Sequence, residues 1–157
     1  MTNQKCEFKT DNELGISFEQ WEALIKTLYY LENNKLKHHK FIKNEHGGME
    51  SGLVSHHNLY PPTIPKRFNM AFWNSGEQEC GTVCCIGGTA EALSGVNFSV
   101  VPDQLENLFY PYMLNNWHRI TPKQAAKALR HYLTTGETDW VKFAPKKCFE
   151  REEDTDA

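Results

Sequence analysis

Two adjacent glycines, Gly87 and Gly88, sit inside a stretch that otherwise reads as a helix, and they limit what the chain can build around it. Each glycine in a helix interior costs about 1 kcal/mol relative to alanine. A chain that keeps two side by side needs close approach of another segment at that point. The helix is announced by Cys80-Gly81-Thr82-Val83-Cys84-Cys85-Ile86, which holds three of the five cysteines. Thr82 is the natural N-cap, placing Val83, Cys84 and Cys85 in the first turn. Val83, Ile86, Ala90 and Leu93 mark a narrow apolar stripe, and Gly95 is the stop signal. Cys80, Gly81, Thr82, Cys85, Gly87 and Gly88 are thus expected to form a structural hub, with thiols serving as compact apolar fillers.

The other elements follow from local punctuation. Ser17 with Gln20 is a capping box, and Phe18, Trp21, Leu24, Ile25, Leu28 and Leu31 recur at helical spacing until Asn33-Asn34. Pro102-Asp103 opens a short helix that Pro111 stops. Thr121-Pro122-Lys123-Gln124 opens another, with Ala125, Ala128, Leu129, Tyr132 and Leu133 buried and Gly136 as its end. The segment from Leu36 to Asn44 can continue as a short helix, and Arg67–Trp73 fits a strand or a single helical turn. These elements predict a mostly α protein: a compact single-domain helical bundle around the central helix, with a long irregular loop and room for a short β-pair near 67–73 or 96–101. Residues 1–15 read as a polar lead-in, 16–145 as one helical domain, and 146–157 as an acidic disordered tail. Within the domain, residues 34–65 form a His-, Gly- and Pro-rich irregular stretch holding five of the seven histidines. Connections of that length are uncommon unless functional, so the stretch is the expected contact region.

A formal charge of −3 and a pI near 6.2 argue against a nucleic-acid binder, whose footprint is basic. No apolar run reaches the roughly 20 residues of a membrane span. The N-terminus leads into no hydrophobic signal segment, and the odd cysteine number points to a reducing compartment, so a cytoplasmic location is expected. Walker and GxGxxG patterns are absent, and no cofactor is expected.

The run Cys80-Gly81-Thr82-x-x-Cys85-Ile86-x-Gly88, preceded by Phe68-x-Met70-x-x-Trp73, resembles a family of small uncharacterised phage and bacterial proteins with a CGTxxCIAG core. The resemblance extends over roughly residues 66–141, through Leu108-Phe109, Trp117, Ile120-Thr121-Pro122 and Thr135-Gly136. The chain departs from that pattern at Gly87 and Thr89, and carries Cys84 in addition. The resemblance implies a phage origin, and hence the host cytoplasm, but no activity.

Three chemistries compete at the centre. A cysteine in a helix first turn sees the positive dipole end, so Cys84 or Cys85 with His118 as base is the candidate set for a cysteine-dependent hydrolase or transferase. Cys80, Cys84 and His56 are the candidate ligands of a zinc-stabilised module. The leading expectation is non-enzymatic: a phage-type accessory protein, a host-defence antagonist that binds a host protein or a small anionic signal. Its candidate binding residues are His56, His57, Tyr60, Lys66, Arg67, Trp73, Thr82 and Trp117. They combine basic groups with aromatic stacking surfaces, and Thr82 marks a helix N-terminus with free N–H groups. The glycine-flanked stripe also permits a homo-oligomer contact.

Overall fold

The computed structural model describes residues 7–39, 65–73, 83–98 and 101–149. Six α-helices dominate these segments, joined by one small sheet and two 3-10 turns. Helix α1 is Asp11–Leu14 and α2 is Phe18–Glu32. Strands β1 (Lys37–His38), β2 (Arg67–Phe68) and β3 (Val83–Cys84) follow. Then come α3 (Ile86–Ser94), α4 (Asp103–Phe109), a 3-10 turn at Trp117–Arg119, α5 (Pro122–Thr135), α6 (Trp140–Phe143) and a 3-10 turn at Lys146–Phe149.

The helix ends obey local chemistry. Ser17 Oγ accepts from Gln20 N at 3.0 Å while Gln20 Oε1 accepts from Ser17 N at 3.1 Å. Thr121 and Gln124 repeat this reciprocal pair at the start of α5. Two orphan donors are satisfied at each start, and losing such a cap costs about 1 kcal/mol. Gly95 and Gly136 close α3 and α5 with φ of +75° and +81°, a region in which a Cβ would be strained.

Helix α2 packs against both α3 and α5, and the apolar stripe Ala23, Leu24, Leu28 and Leu31 supplies its buried side. Ile86, Ala90, Leu129 and Leu133 face the same core, which continues through Leu105, Leu108, Phe109 and Ile120. Trp140 closes it from α6: its Nε1 donates to the carbonyls of Asn107 and Leu108 at 3.0 and 3.2 Å. On the outside, Arg130 holds Glu32 with two hydrogen bonds, reaches Glu7, and lies over the Phe8 ring.

The sheet is parallel throughout, in the order β1-β2-β3. Lys37, Arg67 and Val83 are register partners, as are His38, Phe68 and Cys84. Asn69 ties the three strand ends together. Its N–H donates to Cys84 O at 3.1 Å and its Nδ2 to His39 O at 2.9 Å, while its Oδ1 accepts from Ala71 N at 2.8 Å. A fully buried amide is tolerable only when bonded in this way.

The structure departs from the sequence expectations at four places. The lead-in through residue 15 carries α1, with a Thr10–Glu13 capping box, and buries Leu14. The short helix that Leu36–Asn44 could have continued is not formed in its described part, where Lys37–His38 is β1 because Lys37 N and His39 N find the carbonyls of Lys66 and Phe68; residues 40–44 lie outside the described residues. The short β-pair is a three-stranded parallel sheet containing Arg67–Phe68, and the described residues 96–98 hold no strand. The acidic tail begins later than residue 146, since Lys146–Phe149 is a 3-10 turn with Cys148 buried.

Candidate functional site

The central helix begins three residues later than expected. Val83 and Cys84 pair with Arg67 and Phe68, so their backbone is spent on the sheet and cannot enter a helix. Cys85 is the N-cap in place of Thr82, and its Sγ accepts from Gly88 N at 3.4 Å. Thr82, Cys80 and Gly81 lie outside the described residues.

This start is closed rather than open. A Cβ on Gly88 would collide with the carbonyl oxygen of Trp73 and stand 2.7 Å from its carbonyl carbon. A Cβ on Gly87 would meet the Trp73 ring and come within 3.0 Å of Phe109. Residues 83–90 are all buried. The free N–H groups expected of an anion-binding helix start are therefore covered by Trp73. The indole is fastened in turn: Trp73 Nε1 donates to Glu91 Oε1 at 2.9 Å, and Glu91 Oε2 accepts from Phe98 N at 2.7 Å.

Burial also reverses the expected acidity of the thiols. Cys85 has no exposed surface, and desolvation pushes its thiol up to about 12, outweighing hydrogen bonds from Gly88 and Gly87 that act the other way. Cys84 is driven well above the ordinary thiol range, first by burial and then by Cys85 and Glu91. His118, the candidate base, is buried in the 3-10 turn, where its carbonyl accepts from His38 Nε2 at 2.8 Å. Among the described residues, no group of three or more His, Cys, Asp or Glu is placed to hold a metal ion. Cys84, one of the candidate ligands, is a buried free thiol in β3; Cys80 and His56 lie outside the described residues.

The candidate binding residues fare differently. His56, His57 and Tyr60 lie outside the described segments. Lys66 is exposed just before β2, and Arg67 opens that strand, half-buried. Trp73 and Trp117 belong to one run of aromatic contacts. Phe98 meets Phe109 edge-on at 5.4 Å, Phe109 meets Trp73 at 5.7 Å, and Trp73 stacks on Tyr110 at 6.1 Å. Tyr110 then stacks on Tyr112 at 5.9 Å, and Trp117 lies 6.5 and 6.1 Å from these two rings. The run thus starts in the core and surfaces at Tyr112, which is 66% exposed. Desolvation first, and neighbouring acidic groups after it, push the Tyr110 phenol upward, so it stays protonated.

Trp117 also packs on the small cluster Ala71, Phe72 and Val83. Phe72 meets the His39 ring edge-on at 5.9 Å. Because Val83, Arg67 and Lys37 are register partners, their side chains leave one face of the sheet in adjacent strands about 4.8 Å apart. A basic strip and an aromatic end therefore adjoin. The sequence reading named Arg67, Trp73 and Trp117 but not Phe72 or Tyr110, which connect them. Nothing in their spacing shows that role, since it arises only when residues 39, 72, 83 and 117 meet.

The turn bearing Trp117 is anchored from the C-terminal side. Asn115 N donates to Cys148 O at 2.7 Å, Asn116 Nδ2 to Lys147 O at 2.9 Å, and Cys148 Sγ to Asn116 O at 3.4 Å. Asn116 adopts φ +54°, a left-handed conformation that asparagine tolerates better than most residues. No described helix is long and apolar enough to cross a membrane. Comparison with family models, with curated proteins and with solved structures returned no match.

Proposed function

We propose that this chain is a non-enzymatic binding protein that takes a small anionic ligand on the face made by β1, β2 and the 110–119 segment. The observation that carries this reading is the continuity of contact from His39 through Phe72 to Trp117 and Tyr112, with Arg67 and Lys37 alongside. Basic groups beside a partly exposed aromatic stack suit a ligand with a planar part and an anionic part. A catalytic cysteine needs access and a thiolate, and Cys84 and Cys85 are supplied with neither. In this reading Cys85, Gly87 and Gly88 form the packing hub of a helical bundle, supported by the close approach of Trp73. The resemblance of the Cys80–Gly88 segment to phage-borne proteins supports a phage-type setting, in which the ligand is a signal of host defence and the protein its antagonist.

Tyr112 and Met113, 66% and 68% exposed and adjacent in the chain, favour a second reading in which this tip docks on a host protein. Native mass spectrometry of gently purified protein separates the two. A co-purified small molecule lost in Tyr112→Ala supports the ligand; a protein partner lost in the same variant supports docking. Iodoacetamide mapping tests the enzyme alternative. Cys84, Cys85 and Cys148 are expected to stay unlabelled at neutral pH until the chain is unfolded. Fast native labelling of Cys84 or Cys85 would return the cysteine-dependent mechanism to first place.

A further inference from the structure

Trp73 closes the glycine-flanked stripe of α3, so that stripe offers no face to a second copy of the chain. Helix α2 does offer one. Its stripe of Ala23, Leu24, Leu28 and Leu31 is spent on the core, yet large apolar side chains continue round to the outer side. Phe18 is 51% and Tyr29 56% exposed. Residues 18 and 29 are about three helical turns apart, so the two side chains leave the helix along one line, about 16 Å from each other. Ile25 lies on that line between them and Trp21 beside it, both half-buried, and the Trp21 ring stacks on Phe18 at 5.8 Å. Glu22 and Lys26 form the other edge of the strip. Both are exposed, and among the described residues neither side chain makes a hydrogen bond or an ion pair. Single apolar residues on a surface are ordinary, but a continuous line of them edged by charges is the pattern of a contact surface.

The order of residues along the strip selects what covers it. When a second α2 is turned end for end about a two-fold axis level with the midpoint of residues 18 and 29, Phe18 of each helix lies level with Tyr29 of the other. In an antiparallel pair related by such an axis, each flank of the strip meets its own copy. Glu22 of each helix therefore comes within about one residue's rise of Lys26 of the other. On the opposite flank Trp21 and Ile25 meet their own copies. The strip is thus complementary to itself in both apolarity and charge. A parallel pair in register sets Glu22 against Glu22 and Lys26 against Lys26, and like charges so placed are unfavourable. A foreign surface of a single charge sign matches one of these two residues and opposes the other.

We propose that the outer side of α2 is the contact surface for a second copy of this chain, in an antiparallel pair with two-fold symmetry. The contact uses none of the residues of the ligand face proposed above, so each stands without the other. One helix of 15 residues per subunit is about 22 Å long. Such a contact falls at or below the low end of specific interfaces, about 1,200 Å² in total, so the pair is weak and forms at protein concentrations on the order of tens of micromolar.

Sedimentation velocity of the full chain over a range of about 5 to 500 µM tests the contact. The mass is expected to climb with concentration from 18.1 kDa toward twice that value. Phe18→Gln and Tyr29→Gln should each weaken association about tenfold, because each removes an aromatic anchor twice per dimer. Glu22→Lys and Lys26→Glu change exposed side chains with no bonded partner among the described residues, and so cover the case in which an aromatic variant fails to fold. Each should weaken self-association about tenfold, whereas an equimolar mixture of the two should associate at least as well as the parent. A chain that stays monomeric at the highest concentration overturns the proposal. Association unchanged in both Phe18→Gln and Tyr29→Gln places the contact elsewhere and overturns it too. Glu22→Lys and Lys26→Glu proteins that each associate as the parent does overturn the antiparallel pairing, since only a parallel pair already carries those like-charge contacts.

Discussion

Replacing Gly88 by alanine tests the packing argument most directly. Alanine is the better helix former by about 1 kcal/mol, so propensity alone makes Gly88→Ala stabilising. The added methyl, however, meets the Trp73 carbonyl oxygen well inside contact distance, the carbonyl carbon at 2.7 Å and Cys84 Cβ at 3.2 Å. Two of these atoms are backbone, so no rotamer change relieves them. The Trp73 segment cannot drift away freely either. Its indole is fully buried, bonded to Glu91, and packed edge-on against Phe109. Overpacking of a dense interior costs typically about 1–3 kcal/mol, and a clash with backbone falls at or beyond the upper end. After subtracting the propensity gain, the net loss is about 2 kcal/mol or more, which lowers Tm by about 4–8 °C in a chain of this size. Urea unfolding followed by tryptophan fluorescence reads the difference. Gly95→Ala is the control: no atom of the described residues lies within 4 Å of its added Cβ, and its φ of +75° opposes the change, at about 1 kcal/mol. A Gly88→Ala protein as stable as the parent, or more so, would refute the account of why two glycines stand together.

Two further outcomes follow from the sheet. Asn69→Ala removes two side-chain hydrogen bonds from a fully buried position and leaves the His39 carbonyl without its donor, so a loss of about 2–4 kcal/mol is expected from urea unfolding. The proton affinity of His39 is lowered on folding from an ordinary value of 6.5, so the unfolded chain binds the extra proton. Its contribution is therefore fully present above 6.5 and declines as pH falls below that value. His39→Gln should flatten the stability profile between about pH 7 and 5 relative to the parent; parallel profiles would show that His39 titrates as it does in the unfolded chain.

Much of the fold was legible because its signals are local. Ser17 with Gln20, Thr121 with Gln124, and the stops at Gly95 and Gly136 each bond within a few residues, and each lies where its spacing predicts. Thr10 with Glu13 carries the same signature, but the helix it opens is four residues long and lacks an apolar stripe to betray it. Thr82 failed as a cap for the opposite reason. Val83 and Cys84 are claimed by a strand whose partners lie sixteen residues back, and no local rule weighs that competition. The candidate site divides along the same line. Arg67, Trp73 and Trp117 stand out by residue type, whereas the burial of His39 and the bridging positions of Phe72 and Tyr110 exist only after distant segments meet.

The parallel sheet has a kinetic consequence. Its register joins Lys37 to Arg67 and Arg67 to Val83, so two chain closures of thirty and sixteen residues precede a ladder only two residues long per strand. Closure entropy is incurred before so short a ladder can reward it, while α2 and α5 draw on local contacts and formed caps. The helices therefore assemble early and the sheet zips late, making His39, Arg67 and Asn69 among the last residues to reach their native places. Amide exchange should show the β1–β2 ladder opening ahead of α2 and α5. The ligand proposed for those strands would act on the final folding step and so stabilise the native state mainly by slowing its loss.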